Sequence, residues 1–190
     1  MEETRKKILE AAKRVFAEKS FFDATLEDVA RLSGVKKSTI YYYFESKLDL
    51  LMEVVREVLE ELATALENNL SRGSTRDILS RIVDCYCDFF SQKSDLFVAF
   101  QRAAFDLLSH EEAHKCFQEI VQRLQELRRK VAERIGEITT KTGRRIPGDA
   151  LFRVIASSIG GYCMEELREG RTITEEDREF LKEIFTSFLV

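Results

Sequence analysis

The chain has 190 residues, 44% of them hydrophobic, and a formal net charge of −4 from 30 Lys+Arg against 34 Asp+Glu. One Pro and eight Gly exclude an all-β sandwich, which needs a breaker roughly every 8–12 residues, and no apolar run reaches the ~18 residues of a membrane span. The opening MEETRKKILE lacks the apolar core of a signal peptide, and Cys85, Cys87, Cys116 and Cys163 are spaced irregularly, so the expectation is a soluble, helical, cytoplasmic protein with reduced thiols and no membrane partner.

Helical periodicity recurs from end to end. A first helix over about 3–19 places Ile8, Ala12, Val15 and Phe16 on one face, and Phe21-Phe22 follow as a packing corner. Thr25 with Asp28 three residues on is a helix N-cap with its acidic partner, opening a helix over about 26–32 that buries Leu26, Val29 and Ala30. Ser33-Gly34-Val35 is a tight break, Lys36–Tyr43 a second short helix, and Ser46 opens a long one through Leu50, Val54, Val58, Leu62 and Leu66. Ser74 with Asp77 caps the next, which is apolar nearly all round, and such a helix belongs inside a bundle. Another is predicted over about 96–108. Ser109 with Glu112 caps a long one whose stripe Phe117, Ile120, Leu124, Leu127, Val131, Ile135, Ile138 carries it to about 139. Thr142–Gly148 is read as a loop, and two last helices run about 149–168 and, after Thr174 with Asp177, 175–189. The predicted fold is all-α, about nine helices with no convincing strand. A helix-turn-helix domain over 1–46 sits on a larger helical bundle over 47–190.

Charge is unevenly spread. Residues 1–50 carry a balance of +1 and the remainder −5, and Arg31–Lys47 holds four basic residues against the single acid Glu45. Three of the five tyrosines fall in the same window. Two short helices about a Gly-containing turn, TLEDVARLSGVKKSTIYYYF over 25–44, are the sequence form of a helix-turn-helix. The second helix then exposes Lys36, Lys37, Ser38, Thr39, Tyr41 and Tyr42, short hydrogen-bonding groups at its start with cations and phenols along it. Such a helix sets base-reading residues in a major groove while phosphate contacts fix its register. Adjacent tyrosines on a surface helix are costly to leave in water, which favours a polyanion partner over a core hairpin with a few surface lysines.

Residues 4–51 resemble the N-terminal domain of TetR-family transcriptional regulators. The likeness rests on Val15-Phe16, Thr25, Val29-Ala30, Ser33-Gly34-Val35, Lys37, Thr39-Ile40-Tyr41, Tyr43-Phe44, Lys47 and Leu50-Leu51, in matching order and spacing. The resemblance implies that Lys37, Thr39, Tyr41, Tyr42, Tyr43 and Lys47 contact a double-stranded DNA operator, with Thr25, Lys36 and Ser38 completing the candidate set. Ser38 stands where a Gly is frequent and Lys36 where a small polar residue is common, so a base preference does not carry over.

The resemblance further implies a homodimer through the last two helices. The residues allow it: Ser157, Gly160 and Gly161 are small positions inside a helix, where each Gly costs about 1 kcal/mol relative to Ala. Phe180, Ile184 and Phe188 give the last helix more apolar width than one neighbour needs. Close packing within one protomer is the alternative. The family's middle helices form a ligand pocket, to which Tyr86, Phe89, Phe90, Phe97, Phe100, Phe105, Phe117 and Tyr162 would contribute. That concentration of rings favours an apolar or aromatic effector over a sugar or phosphate. The function expected is a ligand-responsive repressor that binds a pseudo-palindromic operator as a dimer and is released by a small molecule.

Two other classes compete. His110-Glu111-Glu112-Ala113-His114 matches the H-E-x-x-H of zinc hydrolases, which sets two imidazoles on one helical face beside a Glu base. It falls in a first helical turn, where acids are favoured anyway, and no third ligand follows at the expected spacing. No catalytic triad, phosphate loop or cofactor fingerprint is present, so the expectation is no enzyme, no metal and no cofactor. A helical dimeric adaptor that never touches DNA is the remaining alternative; it would show no salt-dependent retention of duplex.

Overall fold

The computed structural model describes the backbone of residues 2–69, 73–107 and 111–189, and their side chains except at 94–107, 111–117 and 119–121. The element order is α1 (Glu2–Glu18), α2 (Leu26–Ser33), α3 (Lys37–Tyr43), α4 (Lys47–Asn69), α5 (Thr75–Leu107), α6 (Glu111–Ile135), β1 (Glu137–Thr139), β2 (Arg145–Pro147), α7 (Gly148–Arg168) and α8 (Glu175–Thr186). Among the described residues the fold is all-α apart from one short antiparallel hairpin. None of the described helices is long and apolar enough to cross a membrane.

Helix starts follow local chemistry. In α2 the Thr25 hydroxyl accepts the Asp28 N–H while the Asp28 carboxylate accepts the Thr25 N–H, a reciprocal box worth about 1 kcal/mol. Ser74–Asp77 at α5 and Thr174–Asp177 at α8 repeat it, as read from the sequence. Ser46 Oγ caps α4 by accepting the Asp49 N–H. The predicted cap Ser109–Glu112 lies outside the described residues.

Three boundaries differ from the sequence reading. The helix predicted behind the Ser74 cap and the one predicted over about 96–108 are one helix, α5, interrupted by non-helical backbone at Lys93 (φ −125°, ψ 16°). The helix predicted to reach 139 stops at Ile135, because Gly136 takes a left-handed φ of 67° and turns the chain into β1. The segment read as helix end and loop is thus a hairpin, with Ile138 opposite Ile146 and buried on a strand. A further antiparallel bridge joins Thr140 to Leu189, so α8 also ends earlier than expected.

The chain packs as two compact units, residues 1–59 with 95–120 and residues 60–94 with 121–190. In the first, Ile8, Leu9, Ala12, Val15 and Phe16 of α1 meet Leu26, Val29, Ile40, Phe44, Leu50 and Val54 in one core. Lys13 of α1 is a buried cation. Burial opposes its charge, but Glu10 and Glu57 each lie 2.9 Å from Nζ and raise the ammonium above its ordinary value. In the second unit Leu66, Leu79, Ile82, Val83, Val131, Ile155, Ile159 and Leu181 are buried. At its surface Arg178 and Lys182 of α8 take Asp88 and Asp84 of α5 at 2.6 and 2.9 Å. Asp84 and Asp88 are therefore both engaged by α8.

Candidate nucleic-acid interface

The interface is built outward from one buried side chain. Ile40, in the middle of α3, is fully buried in the first unit's core and fixes which side of this two-turn helix faces water. Period 3.6 then turns Lys37, Ser38, Tyr41 and Tyr42 outward, and Lys36 precedes them as N-cap. Tyr42 is 71% exposed and Tyr41 52%, large values for aromatic rings. Thr39 and Tyr43 are half-buried; the Tyr43 ring packs on the core and meets Tyr42 edge-on at 5.0 Å between centroids.

The turn ahead of α3 sets its direction. Gly34 ends α2 at φ 71°, donating its N–H to the Ala30 carbonyl, and a side chain would strain that conformation. At the other end of α2, exposed Thr25 is held in the capping box, its hydroxyl donating to Asp28 at 2.8 Å. Lys19 and Arg31 also lie 2.8 Å from that carboxylate. The Lys19 hydrogen bond, with those from Thr25, pulls the Asp28 carboxyl from 3.8 down to about 2.

Two of the candidate cations are engaged within the protein. Lys37 is paired with Glu27 of α2, which raises the ammonium and lowers the carboxyl, and it sits 5.9 Å from the Tyr41 ring centroid. Lys47 carries a role that sequence reading missed. Its ammonium donates to the carbonyls of Phe21 (2.5 Å), Ala24 (2.8 Å) and Phe22 (3.4 Å), and lies 4.5 Å from the Phe21 ring centroid. Partial burial lowers its pKa. The start of α4 is thereby tied to the loop between α1 and α2, a contact spanning over twenty residues with no local signature. Lys36, Ser38 and Tyr42 are exposed.

Of the other candidate residues, Tyr86, Phe89, Phe90 and those from Ser157 onward fall in the second unit, and Phe97, Phe100, Phe105 and Phe117 in the first. Phe89 and Phe90 are buried, edge-on to each other at 5.6 Å, and Phe90 lies against the Gly160 position of α7. Tyr86 lines a groove of about 380 Å³ between α5, α6 and α7. Tyr162 is engaged with α8: its hydroxyl donates to Asp177, which pushes the phenol up to about 12, and its ring is 6.2 Å from that of Phe180. The side chains of Phe97, Phe100, Phe105 and Phe117 lie outside the described residues, as do those of His110, Glu111 and His114. Among the described residues no cluster of His, Cys, Asp and Glu suits a metal ion. Ser157 and Gly161 are exposed on α7, Phe180 and Ile184 of α8 are 50% and 45% exposed, and Phe188 is half-buried.

Comparison with known proteins agrees with this geometry. Residues 8–54 match the family described as bacterial regulatory proteins, tetR family. Over 54 residues, 28% of this chain, it is 43% identical to the HTH-type transcriptional regulator SrpR of Pseudomonas putida. The regulators matched first, SrpR, TtgR and ArpR, are covered over only a quarter to a third of their own length. A longer alignment, 26% identical over 87% of this chain and 81% of the relative, reaches the HTH-type transcriptional repressor BepR of Brucella suis. The fold matches a TetR family transcription regulator from Marinobacter aquaeolei with a TM-score of 0.66 at 18% identity, over 97% of this chain and 94% of the other. Residues 8–54 are thus a region of the TetR-family type, and beyond them the likeness is one of fold.

Proposed function

We propose that this regulator is a cytoplasmic, ligand-responsive repressor that binds a pseudo-palindromic operator in double-stranded DNA as a homodimer and is released by an apolar or aromatic small molecule. The observation that carries the DNA reading is the outward face of α3. Ile40 is locked inside, while Lys36, Lys37, Ser38, Tyr41 and Tyr42 form an unbroken polar and phenolic surface. Phenols on water-facing positions can pack on sugar and phosphate and donate to phosphate oxygens. In this reading residues 1–46 read the duplex, with Thr39 and Tyr43 reinforcing the contact, and Thr25 and Lys47 ordering the backbone beside it. Residues 47–190 bind the effector and dimerise.

Support for the dimer lies on α7 and α8. Val154, Phe180 and Ile184 are 60%, 50% and 45% exposed, too apolar a surface to be comfortable in water. A Cβ added at Gly161 would meet nothing within 4 Å, so packing within the protomer does not account for that glycine. A second copy lying across it does. Two such copies would carry recognition helices about 34 Å apart, one turn of B-form DNA. The effector acts by binding more tightly to the conformer whose recognition helices are misplaced; without that difference it releases nothing.

The test is selection of duplexes from a random-sequence library on the intact protein, followed by anisotropy titration at several salt concentrations. The expected outcome is a selected site with inverted half-sites and affinity falling steeply with salt. Tyr42→Ala should lower affinity about tenfold or more with an unchanged melting temperature. Enrichment of no duplex, or salt-independent retention, would leave the adaptor reading in its place.

A further inference from the structure

The groove between α5, α6 and α7 has a distinctive chemistry. At about 380 Å³ it is near the lower end of small-molecule pockets. Leu127 and Phe152 are buried walls, and the Tyr86 hydroxyl has no hydrogen-bond partner among the described residues. Burial pushes that phenol well above its ordinary value, so it stays protonated and able to donate. No described carboxylate lines the groove, whereas Arg128 of α6 and Arg153 of α7 both do.

The two guanidiniums converge on a single acid. Arg128 Nε is 2.8 Å from Asp149 Oδ1, and Arg153 Nε is 3.5 Å from Oδ2. One carboxylate neutralises one of them. Asp149 also stands in the first turn of α7, where the helix dipole adds positive potential. An excess of about one positive charge therefore remains at the lip of an apolar groove, with guanidinium N–H donors to spare. A cation would be repelled there. A neutral body would leave the donors unused, and a heavily hydrated dianion would not settle on Leu127 and Phe152.

We infer that this groove binds a small organic monoanion with an apolar body, an aryl or medium-chain carboxylate. The head group sits on Arg128 and Arg153, the body lies against Leu127 and Phe152, and the Tyr86 hydroxyl is a further donor. The inference deepens the ligand-responsive reading above and rests on it, adding charge to apolarity as the selector of the effector.

Calorimetric titration of the full chain with 4-phenylbutyrate and octanoate, each against its primary amide, tests this. The carboxylates should bind about tenfold or more tighter than the amides. Arg128→Gln and Arg153→Gln should abolish that preference with unchanged melting temperature, and Asp149→Asn, which frees both guanidiniums, should strengthen carboxylate binding several-fold. Equal binding of amide and carboxylate, or no carboxylate binding at millimolar concentration, overturns the inference. So does an effect of the arginine variants on self-association by light scattering but not on carboxylate binding, since a second copy would then cover the groove. Duplex retention is measured on the same samples. A carboxylate that binds without loosening DNA leaves the groove assignment intact and defeats release by effector. Release by a neutral aromatic, indifferent to both arginines, does the reverse.

Discussion

Lys37, on the helix that faces the proposed duplex, is ion-paired with Glu27 on the helix before it, across the turn at Gly34. The pair is exposed, so its worth to folding is small. Its effect on DNA is larger, because a paired ammonium contributes less to the field a phosphate meets. Glu27→Gln should tighten duplex binding about two- to fivefold at low salt and steepen the salt dependence by about one unit, with little change in thermal stability. Anisotropy titration across a salt series checks this; weaker binding in the variant would mean that the pair positions Lys37 for contact.

Lys47 braces the loop that leads into α2. Lys47→Met keeps most of the stem but strips the Phe21, Phe22 and Ala24 carbonyls of their common donor. The expected cost is about 1–2 kcal/mol, seen as a fall of roughly 2–8 °C in melting temperature. A residue serving only as a phosphate contact would leave melting unchanged and alter DNA binding alone, so paired melting and binding curves separate the roles.

Acid should loosen the start of α2. The Asp28 carboxyl is depressed in the folded protein to about 2 from 3.8, chiefly by Lys19 and Thr25. A depressed carboxyl contributes its stabilisation above the unfolded value and loses it as pH falls through the folded one. The contribution should be full above about pH 5 and decay between about pH 4 and 2. Denaturation midpoints of wild type and Asp28→Asn should differ at neutral pH and converge near pH 2; a gap constant with pH would assign the effect to helix geometry instead of charge.

Gly161 offers a clean test of self-association. Its Cβ direction is empty within the protomer and its backbone is helical, so Gly161→Ala should raise protomer stability by up to about 1 kcal/mol. Gly161→Leu should keep the helix and weaken the dimer about tenfold or more, as should Ile184→Glu. Sedimentation across a concentration series reads the change. Unaltered association in both variants would move the interface elsewhere.

What could be read in the sequence was local. The caps at Thr25, Ser74 and Thr174 lie three residues from their partners, and Gly34 with Ile40 sets the geometry of α2 and α3 within seven residues. The hairpin escaped because Ile138 falls three residues after Ile135, continuing the helical stripe through a break marked only by Gly136. The separation at Lys93 was read as a gap between helices because a polar run there looks the same as a kink within one helix. The Lys47 brace and the pairing of Asp84 and Asp88 with α8 join residues over twenty and at least ninety positions apart. No spacing rule reaches that far.

The recurrent hydroxyl-and-carboxylate starts of α2, α5 and α8, with the Ser46 start of α4, have a kinetic meaning. Each lets a segment choose its first turn from neighbours three positions away, before any distant partner arrives. Chains whose early order is so local collapse and refold quickly, within about milliseconds per unit. A newly synthesised copy would therefore pass little time with its exposed phenols and phenylalanines available for aggregation.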